Sequence, residues 1–403
     1  MNNMKRLIVR DFGPVKNIEI ELKDINIFIG EQSVGKSTIA KIITILTDHI
    51  SLMSIIKNDM AEWNRRLAKY NLDIYEEDDY TIIYEMYNDD FTFHFEIQSG
   101  SLDVYVVKDG DRIEDRKLIF KEIVGSKIIY HDEALDTYFK MSENKNDGYQ
   151  KALENLMSNS LYIPAERIIY SVINNLLPAL TLVESSIPGN LLRFMVELQN
   201  AKSMYPELDM PLLGISYKKE DIDDYFVITS NRRKLPVSAA SSGIQSTMPL
   251  LQVIHYAIRH KEYSTFVIEE PECNLFPEKQ VELLEYILRL TKDEDRTLII
   301  TTHSPYILSA MNNYLYAGDL LKEVVELSRV DVEEKLKNRM CISSEECSVY
   351  SLGENINGDG VYCKSLMDPK SGMIDFNSLD AISNRLGQDF ENLEDLYINM
   401  LRS

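Results

Sequence analysis

Residues 25–47 read "INIFIGEQSVGKSTIAKIITILT", and the way this stretch is parsed decides the fold. A β-rich apolar run ends at Gly30, a short loop carries Glu31 to Gly35, and an apolar segment of helical length and pattern begins at Lys36. The loop matches GxxxxGK[ST] over residues 30–38, "GEQSVGKST", and strand, loop and helix form the setting that gives the pattern its physical meaning. Gly30 and Gly35 allow the backbone N–H groups of Glu31, Gln32, Ser33 and Val34 to wrap an anion at a helix N-terminus, whose dipole already favours negative charge. Lys36 adds a point charge for the β and γ phosphates of ATP, Ser37 a hydroxyl for Mg2+, and Thr38 reaches the α phosphate.

Upstream, "KRLIVRDF", "VKNIEIEL" and "DINIFIG" read as successive short strands, with the turn pair Gly13–Pro14 between the first two. Downstream, "STFVIEEPECNLFP" (residues 264–277) is a β-branched and aromatic run ending in two acids, as expected of a buried parallel strand that delivers carboxylates to its C-terminal edge. Glu269 is placed to hold Mg2+ and Glu270 to polarise the attacking water. An exposed acidic turn is the simpler alternative. A second apolar strand, "RTLIITTHSPYIL" (296–308), stops at His303, the one histidine of six set just past a strand end. His94 alternates within a strand pattern, His255 and His260 sit in a helical one, and His49 and His131 have no recognisable context.

Taken in order, these motifs resemble the ABC-type heads of the AAA ATPase family. The likeness is to the soluble branch that includes SMC proteins, double-strand-break repair ATPases and the OLD family, over roughly residues 4–48 and 160–310. The resemblance implies an α/β fold, a P-loop NTPase head with a mixed sheet and helices. It also implies that "SSGIQ", Ser241 to Gln245, stands where the family carries its LSGGQ signature. Ser241 replaces Leu and Ile244 the second Gly, while Ser242, Gly243 and Gln245 are kept. In such heads the signature caps the γ phosphate held by a second protomer, so the expected assembly is a homodimer with ATP between the subunits, or an assembly of such dimers. Lys36, Glu269, Glu270 and His303 come from one chain, and Ser242 and Gly243 from the other. Asn274 falls at the family's inter-subunit loop. Gln32, Ser33 and Glu269 depart from the usual Asn, Gly and Asp without removing a required group. The family's glutamine loop has no clear counterpart. In "LYIPAER" (161–167), a nucleotide-proximal role for Arg167 or Glu166 and a structural pair are both open.

The gap between phosphate loop and signature is about 200 residues and sustains no heptad repeat, so no long coiled coil is expected. It opens with a polar helical stretch, "DMAEWNRRLAKY", and continues with "YTIIYEMY", "FTFHFEIQ" and "LDVYVVK", in which Phe91, Phe93, Phe95 and Ile97, then Leu102, Val104 and Val106, alternate. An antiparallel meander with one buried face follows. We therefore expect a head lobe over 1–50, an inserted meander with a helical region over 51–160, and a second lobe over 161–315. A further α/β segment over 316–403 is expected to pack on the head or to offer a face to a partner. Its final stretch places Leu379, Ile382, Leu386, Phe390, Leu393 and Tyr397 at helical spacing.

With 43 basic and 65 acidic residues the net charge is −22, so any nucleic-acid contact must be local. Arg232, Arg233 and Lys234, near Lys218 and Lys219, are the candidates, against the plainer reading of a solvated turn. Four cysteines without CxxC spacing read as free thiols, and no apolar run is long enough for a membrane span, which fits a cytoplasmic protein. No DxD cluster follows His303, so the nuclease site of OLD proteins is not expected. The reading that results is an ATP-hydrolysing dimeric switch controlling a separate effector, a nuclease or toxin, in anti-phage defence. The alternative is a repair or chromosome ATPase acting directly on DNA.

Overall fold

The computed structural model describes residues 5–87, 92–108, 110–114, 159–170, 188–220, 223–260, 263–292, 296–323, 334–336, 339–353 and 362–394, the last span without 376, 378 and 380–383. At its centre, β3 (Ile25–Gly30) leads through the 31–35 loop into α1 (Lys36–Thr47), as the sequence predicts. Every residue of β3 is buried, because parallel strands are covered on both faces and their sequences are correspondingly apolar throughout.

The central sheet runs β16-β15-β3-β14-β13-β8. Here β8 is Asn159–Ile163, β13 Tyr263–Glu269, β14 Thr297–Thr301, β15 Cys347–Leu352 and β16 Cys363–Ser365. All pair in parallel except β16, which lies antiparallel to β15. Alternate residues separate two cores. Ile27, Ile29, Ile268, Ile300 and Val349 join the core shared with helices that follow the meander, whereas Phe28, Val267, Ile299, Tyr350 and Leu352 join the core containing α1 and the first sheet. Those helices are α4 (Gly189–Met204), α5 (Ser242–His260), α6 (Pro277–Thr291) and α7 (Pro305–Glu323).

The first sheet is antiparallel, in the order β2-β1-β4-β5-β6-β7. It comprises β1 (Lys5–Phe12), β2 (Val15–Leu22), β4 (Thr81–Tyr87), β5 (Thr92–Gln98), β6 (Ser101–Lys108) and β7 (Asp111–Ile113). The expected meander is present, with Phe93 opposite Val106, Phe95 opposite Val104 and Ile97 opposite Leu102, all buried. Phe91 lies outside the described residues. The meander is not a separate insert: β4 pairs with β1 from Lys5↔Met86 to Arg10↔Thr81, so the division at residue 50 cuts through one sheet and one core. Helices α2 (His49–Lys57) and α3 (Met60–Lys69) close that core, the latter capped by the Asp59 side chain and burying Trp63.

A third, antiparallel sheet of order β12-β11-β10-β9 uses Glu207–Met210 (β9), Ile215–Glu220 (β10), Asp223–Ile228 (β11) and Lys234–Pro236 (β12). Its basic residues follow the plainer reading: Lys218 pairs with Glu207, Lys234 with Glu220, and Arg232 and Arg233 are exposed in the turn before β12. The segment expected as an appendage after residue 316 supplies β15 and β16, two strands of the central sheet itself. Beyond them, residues 384–394 are helical and leave Leu386, Phe390 and Leu393 at least 60% exposed, whereas Leu379 packs against the core; Ile382 and Tyr397 lie outside the described residues. Among the described residues, no single helix is long and apolar enough to cross a membrane.

Candidate active site

The 31–35 loop is shaped by left-handed backbone at Ser33 (φ 64°) and Gly35 (φ 92°), the latter capping α1. A Cβ on Gly35 would sit 2.8 Å from Val15 Cγ2 and 3.3 Å from the Tyr362 hydroxyl, so only glycine fits. Glu31, Gln32, Ser33 and Ser37 are exposed, Val34 is half-buried, and Gly30, Gly35, Lys36 and Thr38 are buried. Lys36 Nζ donates to the carbonyl oxygens of Gly30 at 2.9 Å and Glu31 at 2.6 Å, folding its cation back over the loop. Burial lowers the Lys36 pKa, while Glu270 and Glu269 oppose the shift.

The two apolar runs are buried strands paired in parallel. Parallel pairing of Glu269 with Thr301 brings the ends of β13 and β14 level beside β3, and Glu269 is 4% exposed. Burial raises its pKa, with Ser37 and Tyr162 pulling the other way. Among the described residues, neither Glu269 Oε1 nor the Tyr162 hydroxyl, both buried, has a hydrogen-bond partner at good geometry, close as Tyr162 and Ser37 stand to the carboxylate. A buried carboxylate oxygen left unsatisfied is costly, and the neighbouring Ser37 hydroxyl completes an all-oxygen donor set of the kind Mg2+ prefers. The residues present therefore fit a magnesium ion.

Glu270 leaves the strand with φ 41°, held by its N–H donating to Thr301 O at 2.9 Å. Its Oε1 lies 3.5 Å from His303 Nε2, and its Oε2 accepts from Cys273 Sγ at 3.1 Å. Burial and Glu270 push the Cys273 thiol up to about 12, so it remains a protonated donor at neutral pH. His303 has its pKa lowered by burial and by the Lys36 cation, against the pull of Glu270. Lys36, Glu269, Glu270 and His303 are thus electrostatic neighbours at one edge of the sheet.

Three residues that the sequence reading did not assign support this edge. Glu272 is buried and accepts from the Thr302 hydroxyl at 2.5 Å and the His303 N–H at 3.0 Å, tying the two acidic-edge strands' exits together. Tyr162 stands beside Glu269 from β8. Tyr362, far off in sequence, donates to the carbonyl of Pro14 at 2.8 Å and lies within hydrogen-bond reach of the phosphate-loop carbonyl of Val34. Glu272 was visible in "EEPE" as a third acid; nothing in sequence spacing links Tyr362 to a loop more than 300 residues earlier.

The signature segment forms the first turn of α5. Ser242 is exposed; Gly243 is buried, and a Cβ there would meet Asn274 O at 2.9 Å, so glycine is required within the chain itself. Gln245 donates its amide to Val237 O (3.3 Å) and Ser238 O (3.1 Å), holding its own loop. Asn274 is exposed with φ 63°. Among the described residues no hydrogen bond or ion pair joins Ser242–Gln245 to the 30–38 loop, so the fold does not bring these two halves together in one chain. Among the described residues, Arg167 is fully buried and its hydrogen bonds all go to backbone carbonyls, while Glu166 is exposed, which removes the reading of these two as a pair.

A phosphate-type loop, two carboxylates and a histidine gathered on the C-terminal edge of a parallel sheet define a P-loop nucleotide-binding protein. Residues 4–182 and 190–308, well over half of the chain, match the AAA ATPase domain family, and the chain belongs to that family. Similar solved structures include an SMC head bound to the C-winged helix domain of ScpA, with 11% identity, 76% of this chain and 92% of that chain covered and a TM-score of 0.41. They also include the SMC head domain from Thermotoga maritima (13% identity, 76% and 92% covered, TM-score 0.35). A third is the Smc head with an extended coiled coil bound to the C-terminal domain of ScpA, derived from Pyrococcus furiosus (11%, 98% and 100%, TM-score 0.39). No curated protein matches the chain.

Proposed function

We propose that the chain is an ATP-hydrolysing switch that closes as a head-to-tail pair, each ATP held by the 30–38 loop of one protomer and capped by Ser242 and Gly243 of the other. The observation that carries this reading is the convergence of Lys36, Glu269, Glu270 and His303 at one sheet edge, with the signature turn unattached to it. In this reading Lys36 releases the Gly30 and Glu31 carbonyls and turns to the β and γ phosphates, while the N–H groups of residues 31–36 receive phosphate oxygens. Ser37 and Glu269 would hold Mg2+, which when bound would neutralise charge on the phosphate oxygens. Glu270 orients the attacking water and takes its proton as the water oxygen bonds to the γ phosphorus and the bond to the β–γ bridging oxygen breaks. His303, kept neutral by its environment, orients that water or the γ phosphate. Phosphate and ADP leave, and the pair opens.

The opening and closing is the signal, and its reader is a separate cytoplasmic effector, a nuclease or toxin acting in anti-phage defence. A change of pairing has an effect only if a second molecule distinguishes the open from the closed pair, which motivates that output. The expected result has two parts: turnover per chain rises with protein concentration as pairs form, and the chain purified from its own cells carries a second protein. A turnover per chain that is independent of concentration would reject the paired site, and purification without any companion would reject the effector.

A further inference from the structure

We propose that Arg167 is a positioning residue that joins the signature helix to the carboxylate turn, so that engagement of Ser242 and Gly243 by a partner's nucleotide is transmitted to Glu270 of the same chain. The inference rests on the function proposed above.

The guanidinium is 0% exposed, and its five N–H groups are all accounted for by backbone carbonyls. Nε donates to Ser246 O at 3.0 Å. Nη1 donates to Pro164 O at 3.0 Å and Glu269 O at 2.8 Å, and Nη2 to Glu270 O at 2.7 Å and Pro271 O at 3.2 Å. Three of these acceptors are consecutive residues of the turn that bears both carboxylates. The fourth, Ser246, lies in the first turns of α5, four residues from Ser242, and the fifth belongs to the exit of β8.

Two features make this more than packing. Glu270 stands at φ 41°, a conformation a non-glycine residue holds only when its surroundings impose it. Its own N–H and carbonyl are both fixed, by Thr301 and by Arg167 respectively, so the direction of its carboxylate depends on the Arg167 bond. Second, a planar fork with five donors cannot follow one acceptor while ignoring the others: a shift of the Ser246 carbonyl must tilt the plane that holds Glu269, Glu270 and Pro271. Gly243 lies against the same turn, since a Cβ there would fall 2.9 Å from the Asn274 carbonyl oxygen, so α5 and residues 269–274 meet at two points.

The test compares the unmodified chain with Arg167→Lys, which keeps the charge but has at most three donors with no fixed plane. Nucleotide-binding stoichiometry, ATP affinity and turnover per bound site are measured together. The expected result is ATP affinity and KM within about twofold of the parent, and kcat per bound site lower by about a hundredfold, the scale of a misplaced catalytic group. A merely structural role would lower the number of binding sites and leave kcat per site unchanged, and that outcome overturns the inference while leaving the proposed function intact. No turnover in the unmodified chain overturns both. Should Arg167→Lys fail to fold, hydrogen exchange on the unmodified chain decides. With Mg2+ and a non-hydrolysable ATP analogue, the amides of residues 243–247 and of 270, 272 and 273 are expected to gain protection together, and Ser242→Arg to abolish both gains. Protection of one segment without the other contradicts the coupling.

Discussion

Lys36→Ala is expected to leave a folded chain that no longer turns over ATP and binds Mg-ATP about a hundredfold more weakly, the scale of truncating one partner of a desolvated, hydrogen-bonded charge pair. The side chain is folded back over its own loop, its Nζ on the carbonyls of Gly30 and Glu31. Burial lowers the Lys36 pKa, which means that charge is held at a cost that phosphate oxygens would relieve. Calorimetric titration with Mg-ATP, beside a thermal melt to confirm folding, checks the expectation. Parental affinity in the variant would remove Lys36 from the nucleotide site.

Glu270→Gln is expected to produce the second large effect: ATP binding kept, kcat reduced by about a thousandfold, in the range for loss of a positioned proton acceptor, and the closed pair accumulating with ATP. The substitution is nearly isosteric, so the left-handed turn and its bonds to Thr301 and Arg167 are backbone features that survive it. What is lost is the carboxylate that faces His303 and accepts from Cys273. Single-turnover hydrolysis and light scattering in Mg-ATP read both halves of the prediction, with the mass doubling from 46.6 kDa per chain. Hydrolysis at the parental rate would move the proton acceptor elsewhere.

Much of this was legible in the sequence because it is local. The strand, loop and helix at residues 25–47 carries its own glycine and lysine chemistry, β13 and β14 announce themselves as continuous apolar runs, and period-two alternation fixed the buried face of the meander. Partnerships between distant strands were not legible. Nothing in "SVYSL" says that it pairs in parallel with β3, because a fully buried strand offers no alternation from which to read its neighbour. The same reason hides the union of β1 with β4 and the approach of Tyr362 to the phosphate loop. Arg167 is read from the sequence as either nucleotide-proximal or paired with a Glu; that it serves five carbonyls is a consequence of three elements meeting. Gly243 changes meaning in the structure: because its missing Cβ makes room for Asn274 O, substitution there would disturb the chain itself, and the exposed Ser242 is the cleaner probe of the signature.

The central claim is that each signature serves the neighbour's ATP, and mixing two inactive chains tests it most directly. Lys36→Ala keeps a sound signature and Ser242→Arg a sound phosphate loop, so a mixed pair contains one intact composite site. In an equimolar mixture of chains that pair at random in two-fold symmetric dimers, turnover is expected to recover to about a quarter of the parental rate. If the mixture stays as inactive as its components, or if Ser242→Arg alone hydrolyses ATP at the parental rate, the site is not shared between protomers.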